Sequence, residues 1–234
     1  MPSARLYVIR LSNPSAAARG MLDHKRVSYR LVRLPPGMHP LLVRLTGFQR
    51  GTVPALEIDG RRLQGSLDIS RALDELRPDP PLFPSDPELR TRVEAAERWG
   101  EAELQAIPRR AFRFALTQDR ELRRWLSEEI IGLPAPGILA DAGLPVIRLL
   151  AAGADEERVQ GDRERLPGLL DRVDELIAEG TIGGDAPNAA DFQVLSTVRV
   201  LLESSEAARA VDGRPCEAAA RRLFPDWDGG PIPS

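Results

Sequence analysis

Two short stretches hold residue types that could do chemistry together. In the first, Ser12-Asn13-Pro14-Ser15 follows an apolar β-type run, Arg5-Leu-Tyr-Val-Ile9. Ser12 is an N-cap candidate, and Pro14 falls where the first turn of a helix tolerates it. In the second, Thr52-Val53-Pro54-Ala55-Leu56-Glu57-Ile58-Asp59-Gly60 leads to Gln64-Gly65-Ser66. A proline heading a β-branched, apolar run removes a ladder donor, which makes sense if the Val53–Pro54 bond is cis and turns the chain sharply. Such a turn leaves the Val53 N–H and C=O facing outward, able to pair with another extended backbone as an added strand. Gln64-Gly65-Ser66 then precedes a helix whose N-terminus would attract a carboxylate. The pair of features amounts to a main-chain clamp beside an anion pocket.

Composition narrows what could use them. The chain has 234 residues, enough to bury a real core in one large domain or two modest ones. At 42% hydrophobic and 29% charged residues it reads as a soluble globular protein. A net charge of -3 gives no electrostatic case for a nucleic acid or an anionic membrane. Lys25 is the only lysine, and the many arginines are interleaved with acids, as in Glu88-Leu-Arg-Thr-Arg-Val-Glu94, the mark of solvated helix faces. Cys216 stands alone, which excludes an intramolecular disulfide and a thiolate metal cluster. His24 and His39 are too isolated to form a metal site. No signal peptide or membrane-spanning run is visible, so a cytoplasmic location is expected.

The elements that must position the two stretches follow from periodicity and turn chemistry. Arg5–Ile9 is a strand, Ala16–Lys25 a helix, Val27–Leu34 a strand ended by Pro35-Pro36-Gly37, and Leu41–Leu45 a short helix ended by Gly47. Asp59-Gly60 is a strong hairpin signal between Pro54–Ile58 and Arg61–Leu63. Leu67–Leu76 has apolar residues at helical spacing. The order is βαβαββα over residues 1–77. Residues 78–87 lie in a proline-rich stretch that reads as a linker, and strand signals nearly vanish over 88–234. Helices are expected over Glu88–Gln105, Asp119–Ile131, Glu156–Glu179, Ala189–Ser204 and Pro215–Phe224, with Pro108 ending or kinking the first. Gly132–Gly143 resists assignment. Asn188, with Asp191 three positions on, forms a capping-box arrangement.

Taken in order and spacing, Val53-Pro54, Ser66, the proline linker and the Asn188/Asp191 box resemble the glutathione S-transferase superfamily over nearly the whole chain. The resemblance implies a thioredoxin-like α/β first domain, an all-α second domain and a homodimer. It also implies glutathione, or a related thiol, as co-substrate, with no tightly bound cofactor. In serine-type members a hydroxyl where Ser12 stands donates to the glutathione sulfur and, with the helix dipole, favours thiolate. Asn13 and Ser15 are the alternates, and the bland reading is that Ser12 and Ser15 only cap a helix. Tyr7 is unsuited, since alternation places it inside the strand. Val53 would pair with the cysteinyl main chain, beside Pro54, and Ser66 would hold the γ-glutamyl carboxylate unless it merely caps its helix. Gly65 departs from the family's usual acid, which would meet the ligand's ammonium group; Gln64 or Asp68 is the alternative partner. An acceptor pocket would draw on Trp99, Arg109, Arg110, Phe112 and Arg113, an aromatic–arginine lining for an apolar electrophile bearing negative charge. The expected activity is conjugation to a small electrophile. Thiol-dependent isomerisation, dehalogenation or peroxide reduction, and a non-enzymatic binding role, stay open.

Overall fold

The computed structural model describes residues 4–132, 141 and 143–227; most of the unassigned Gly132–Gly143 stretch lies outside them. Strands β1 (Ala4–Val8), β2 (Tyr29–Arg33), β3 (Ala55–Ile58) and β4 (Arg61–Gln64) form one sheet in the order β2-β1-β3-β4. β1 runs parallel to β2 and antiparallel to β3, and β3 is antiparallel to β4. Helix α1 (Asn13–His24) crosses from β1 to β2, α2 (His39–Leu45) precedes β3, and α3 (Ser66–Leu76) follows β4. Asp59 and Gly60 both take positive φ, 47° and 78°, as a tight hairpin requires. This βαβαββα unit is thioredoxin-like. Helix α1 begins at Asn13 and not at Ala16, because Ser12 caps it: its Oγ accepts the Ser15 N–H at 3.3 Å.

Alternation along β1 sends Ala4, Leu6 and Val8 to the main core and Tyr7 to the opposite face. There Tyr7 meets Phe48 edge-on, ring centroids 5.6 Å apart, among Val43 and Ala55. Its ring is therefore core, as alternation predicts.

The helical part opens with α4 (Pro87–Trp99), which passes through a π-helical turn over Gly100–Leu104 into α5 (Ala106–Gln118). The sequence suggests a helix to Gln105 and assigns no element to residues 106–118. Pro108 has no N–H for the Leu104 carbonyl and crowds it, so the chain takes a wider turn just upstream. The proline then sits in the first turn of α5, where its missing donor costs least. Next come α6 (Arg120–Trp125), a second π-helical turn (Leu126–Ile131), α7 (Leu144–Leu150), α8 (Glu156–Ala178), α9 (Ala189–Leu201), α10 (Ser205–Val211) and α11 (Pro215–Leu223). Helices α5, α7 and α10 were not expected from the sequence.

Helix α9 is buried along its whole length, which matches a segment apolar on nearly every face. Its capping box is complete. The Asn188 Oδ1 accepts from Ala190 and Asp191, while the Asp191 carboxylate accepts the Asn188 N–H at 2.9 Å and the Gly183 N–H at 2.6 Å. A Cβ on Gly100 would lie 2.8 Å from Val194 Cγ2, so glycine lets the first π-turn rest directly on α9. One apolar cluster joins Leu6 and Leu56 of the sheet to Phe192 and Leu195 of α9. Lys25 is buried at the end of α1. Its Nζ donates to Asp74 Oδ1 and to the Arg77 carbonyl, both at 2.7 Å, and Asp74 also accepts the Leu82 N–H. Removing one partner of such a pair costs about 3–5 kcal/mol.

Candidate functional site

Sheet register gathers the chemical residues. Ala55 pairs with Tyr7 on one side and Gln64 on the other. The turn after β1, the turn before β3 and the turn after β4 therefore leave one edge of the sheet side by side. Ser12 belongs to the first, Val53–Pro54 to the second, and Gly65–Ser66 to the third. The Val53–Pro54 bond is cis, as is Asp79–Pro80 in the proline-rich stretch. The Pro54 carbonyl accepts the Gly65 N–H at 3.0 Å, tying the second turn to the third. Val53 lies outside both strands, and its own N–H and C=O have no hydrogen-bond partner among the described residues.

Gln64 is committed to bracing this geometry. Its Nε2 donates to the Arg50 carbonyl at 2.6 Å and the Thr52 carbonyl at 3.2 Å, and its Oε1 accepts the Arg50 N–H at 2.9 Å. The glutamine splints the loop that presents Val53. Gly65 sits at φ 95° and ψ 149°, backbone space that only glycine enters freely. A Cβ there would meet nothing within 4 Å, so conformation and not crowding selects the glycine. Gly65 is also the N-cap of α3, which makes Ser66 the first helical residue and overturns the expectation that Ser66 itself might be the cap. Ser66 is 1% exposed, and its Oγ has no partner among the described residues. A buried hydroxyl left unpaired costs about 1–3 kcal/mol, which a ligand acceptor or donor would recover.

Of the three hydroxyl or amide residues at the start of α1, the structure separates the roles. The Ser12 Oγ accepts from the backbone, which leaves its proton free to donate, and the residue is half-buried. The Asn13 Nδ2 is held by Thr197 Oγ1 at 2.8 Å, a tie from α1 to α9. Ser15 is buried, and its Oγ has no partner among the described residues.

Charge collects around the start of α3. Arg50 bonds the Gln64 carbonyl and reaches Asp68 Oδ2 at 3.0 Å. Burial raises the Glu101 pKa, the Asp68 charge raises it further, and Arg50 and Arg71 oppose both. The expected acceptor residues divide. Trp99 packs against the main core, and Phe112 against Leu116, Leu122 and Leu126. Arg110 Nε donates to Asp162 Oδ2 at 2.6 Å. Burial lowers the Arg109 pKa from the usual guanidinium range, followed by the charges of Arg113 and Arg110. His39, the first residue of α2, is likewise lowered by burial and then by the charge of Arg113, a residue of α5. No spacing in the sequence links position 39 to position 113, so this neighbour was not foreseen; nor was Arg50. Cys216 is fully buried, its thiol pushed up to about 12 by burial and by Asp174, so it supplies no thiolate.

A thioredoxin-like sheet with a cis-proline turn beside a helix N-terminus, running on into a helical bundle, defines the class of protein. Residues 6–81 match the family model described as the glutathione S-transferase N-terminal domain. The whole chain has the fold of the glutathione S-transferase superfamily. A glutathione S-transferase from Rhodospirillum rubrum F11 is 21% identical with a TM-score of 0.63, over 98% of this chain and 95% of its own. A beta-etherase from Sphingobium sp. strain SYK-6 is 18% identical with a TM-score of 0.64, over 95% of this chain and 99% of its own. Glutathione transferase F7 from Populus trichocarpa is 18% identical with a TM-score of 0.63, covering 94% and 92%. No match was found among curated proteins. No helix among the described residues is long and apolar enough to cross a membrane.

Proposed function

We propose that the protein is a cytoplasmic, homodimeric glutathione S-transferase that conjugates glutathione, or a related thiol, to a small electrophile. In this reading residues 1–77 form the thiol-binding domain, 78–87 the linker and 88–234 the helical domain. The Val53 main chain takes the cysteinyl unit as an added strand, and the Ser66 hydroxyl takes the γ-glutamyl carboxylate at the N-terminus of α3. Ser12 donates to the sulfur and holds it as thiolate. Gln64 and Gly65 keep the loop and the cap in place, and Asp68 is the acid within reach of the ligand's ammonium. Arg109 and Arg113 offer positive charge to the acceptor.

The observation that carries this reading is the Ser66 Oγ, buried and unpartnered beside the cis-proline turn. Thermal unfolding under glutathione titration tests it. At a hundredfold excess over Kd, binding stabilises by ~2.7 kcal/mol, a rise in Tm of roughly 5–10 °C for a chain of this size. No rise with glutathione or any other low-molecular-weight thiol would refute it.

A non-enzymatic binding role is the second reading. Glycine at position 65 and the capping bond already made by the Ser12 Oγ favour it. It predicts thiol binding with no lowering of the thiol pKa and no turnover. Isomerisation, dehalogenation, peroxide reduction and ether cleavage would use the same activated thiol on a different second substrate.

A further inference from the structure

A cavity of about 390 Å³ lies between α1 and the chain that follows α11. Neither Val53 nor Ser66 borders it, and no residue of α4 or α5 does; Ser12 lines it, with Leu11 and Ser15. Helix α1 contributes Ser15, Gly20 and His24, and Phe192, Phe224 and Trp227 stand around them. The volume suits one small organic molecule.

Three polar atoms of these residues are closed to solvent and have no hydrogen-bond partner among the described residues: Ser15 Oγ, His24 Nε2 and Trp227 Nε1. Ser15 is only 2% exposed. Folded proteins leave few such atoms unsatisfied, so three around one cavity point to something that pairs with them. Their chemistry says what. The Trp227 N–H can only donate. Burial lowers the His24 pKa and the Pro81 main chain opposes that shift; proline has no N–H, so only its carbonyl can face the ring. The neutral ring is assigned Nδ1–H toward that carbonyl, which leaves Nε2 as the acceptor. A matching ligand therefore donates to His24 and accepts from Trp227, as a hydroxyl can. One part of the lining is flat and aromatic, and Arg19, Asp23 and Asp226 border it. His24 and Phe192 have ring centroids 5.7 Å apart, and Phe192 meets Phe224 edge-on at 6.4 Å. A Cβ on Gly20 would stand 2.7 Å from Phe192 Cδ1, so glycine at this position lets that wall close on α1.

We propose that this cavity is a second small-molecule site, adjoining the thiol cradle at Ser12 but clear of Val53 and Ser66, which binds a neutral hydroxylated aromatic. The ring lies among Phe192, Phe224 and His24, and the hydroxyl bridges His24 Nε2 and Trp227 Nε1.

The test is a titration of the full chain with 2-naphthol, followed by the probe's own emission. It needs no thiol, so its outcome is separable from that of the glutathione titration. The wild type is expected to bind one equivalent. Ala16→Phe, which fills the slot from α1, should weaken binding at least tenfold, and His24→Phe and Trp227→Phe about five- to tenfold each. The methoxy analogue, which lacks the donor, should bind the wild type more weakly than 2-naphthol and bind His24→Phe as well as 2-naphthol does. Circular dichroism confirms folding of each variant. Trp227, beyond the last described helix, keeps the test decisive if His24→Phe misfolds. The proposal is overturned by no saturable binding, by variants that bind like wild type, or by a methoxy analogue that binds wild type as tightly as 2-naphthol.

Discussion

Ser12 and Ser66 are both hydroxyls at the start of a helix, yet their oxygens are in opposite situations. The Ser12 Oγ accepts a backbone N–H, whereas the Ser66 Oγ has no partner among the described residues. Alanine should separate them cleanly. Ser12→Ala removes a cap, costing about 0.5–2 kcal/mol of stability with or without ligand. It should also lower turnover roughly ten- to a hundredfold, since a hydrogen bond to a thiolate is worth ~1.5–3 kcal/mol. The bound thiol's pKa should rise in step, read as thiolate absorbance lost at neutral pH. Ser66→Ala should leave the ligand-free protein as stable as wild type or more so, because it deletes an unsatisfied buried hydroxyl. It should abolish most of the glutathione-induced rise in Tm while turnover at saturation changes little. If Ser66→Ala instead destabilises the free protein and binds glutathione normally, the hydroxyl has a structural partner and the carboxylate site lies elsewhere.

At the scale of elements, what the sequence disclosed was what short-range chemistry decides. The cis-proline turn, the Asp59-Gly60 hairpin and the Asn188/Asp191 box depend on residues within a few positions of one another, and all three are present. Helix α5 escaped because Pro108 reads as a breaker, and only the π-turn upstream turns it into a helix opener. Gln64 escaped as a splint because its partners, Arg50 and Thr52, sit across a turn whose path the sequence does not specify. The capping box has a pH signature. Burial raises the Asp191 pKa from 3.8 to about 6, against the two N–H groups that bond it. The folded state therefore holds this proton more tightly than the unfolded chain does. The associated stability is fully present below the unfolded pKa and is lost as pH rises through about 6, up to ~3 kcal/mol. Burial raises the Glu97 pKa too, which adds in the same direction. Urea unfolding from pH 4 to 7 should show the decline, and Asp191→Asn, whatever its constant offset, should flatten it. Parallel profiles for the two proteins would assign the proton to another group.

For the whole molecule, the superfamily resemblance predicts a two-fold dimer, with the first domain of one protomer against the helical domain of the other. Light scattering should return twice the chain mass of 25.7 kDa at micromolar concentration. A monomer mass throughout would reject the dimer. Within one chain, the sheet and the helices share a single apolar cluster, and the Asn13–Thr197 bond crosses between them. The boundary visible as a proline-rich stretch is thus a boundary in sequence more than in packing. Lys25 makes that continuity measurable. It is the only lysine, its side chain is fully buried, and its ammonium is held by Asp74 and the Arg77 carbonyl. A lysine-specific protease has one bond to cut, and that bond is reachable only when α1, α3 and the linker come apart. Trypsin would nibble at exposed arginines and report local fraying. The lysine-specific enzyme should give only residues 1–25 and 26–234, at a rate that follows the fraction of molecules opened through the core.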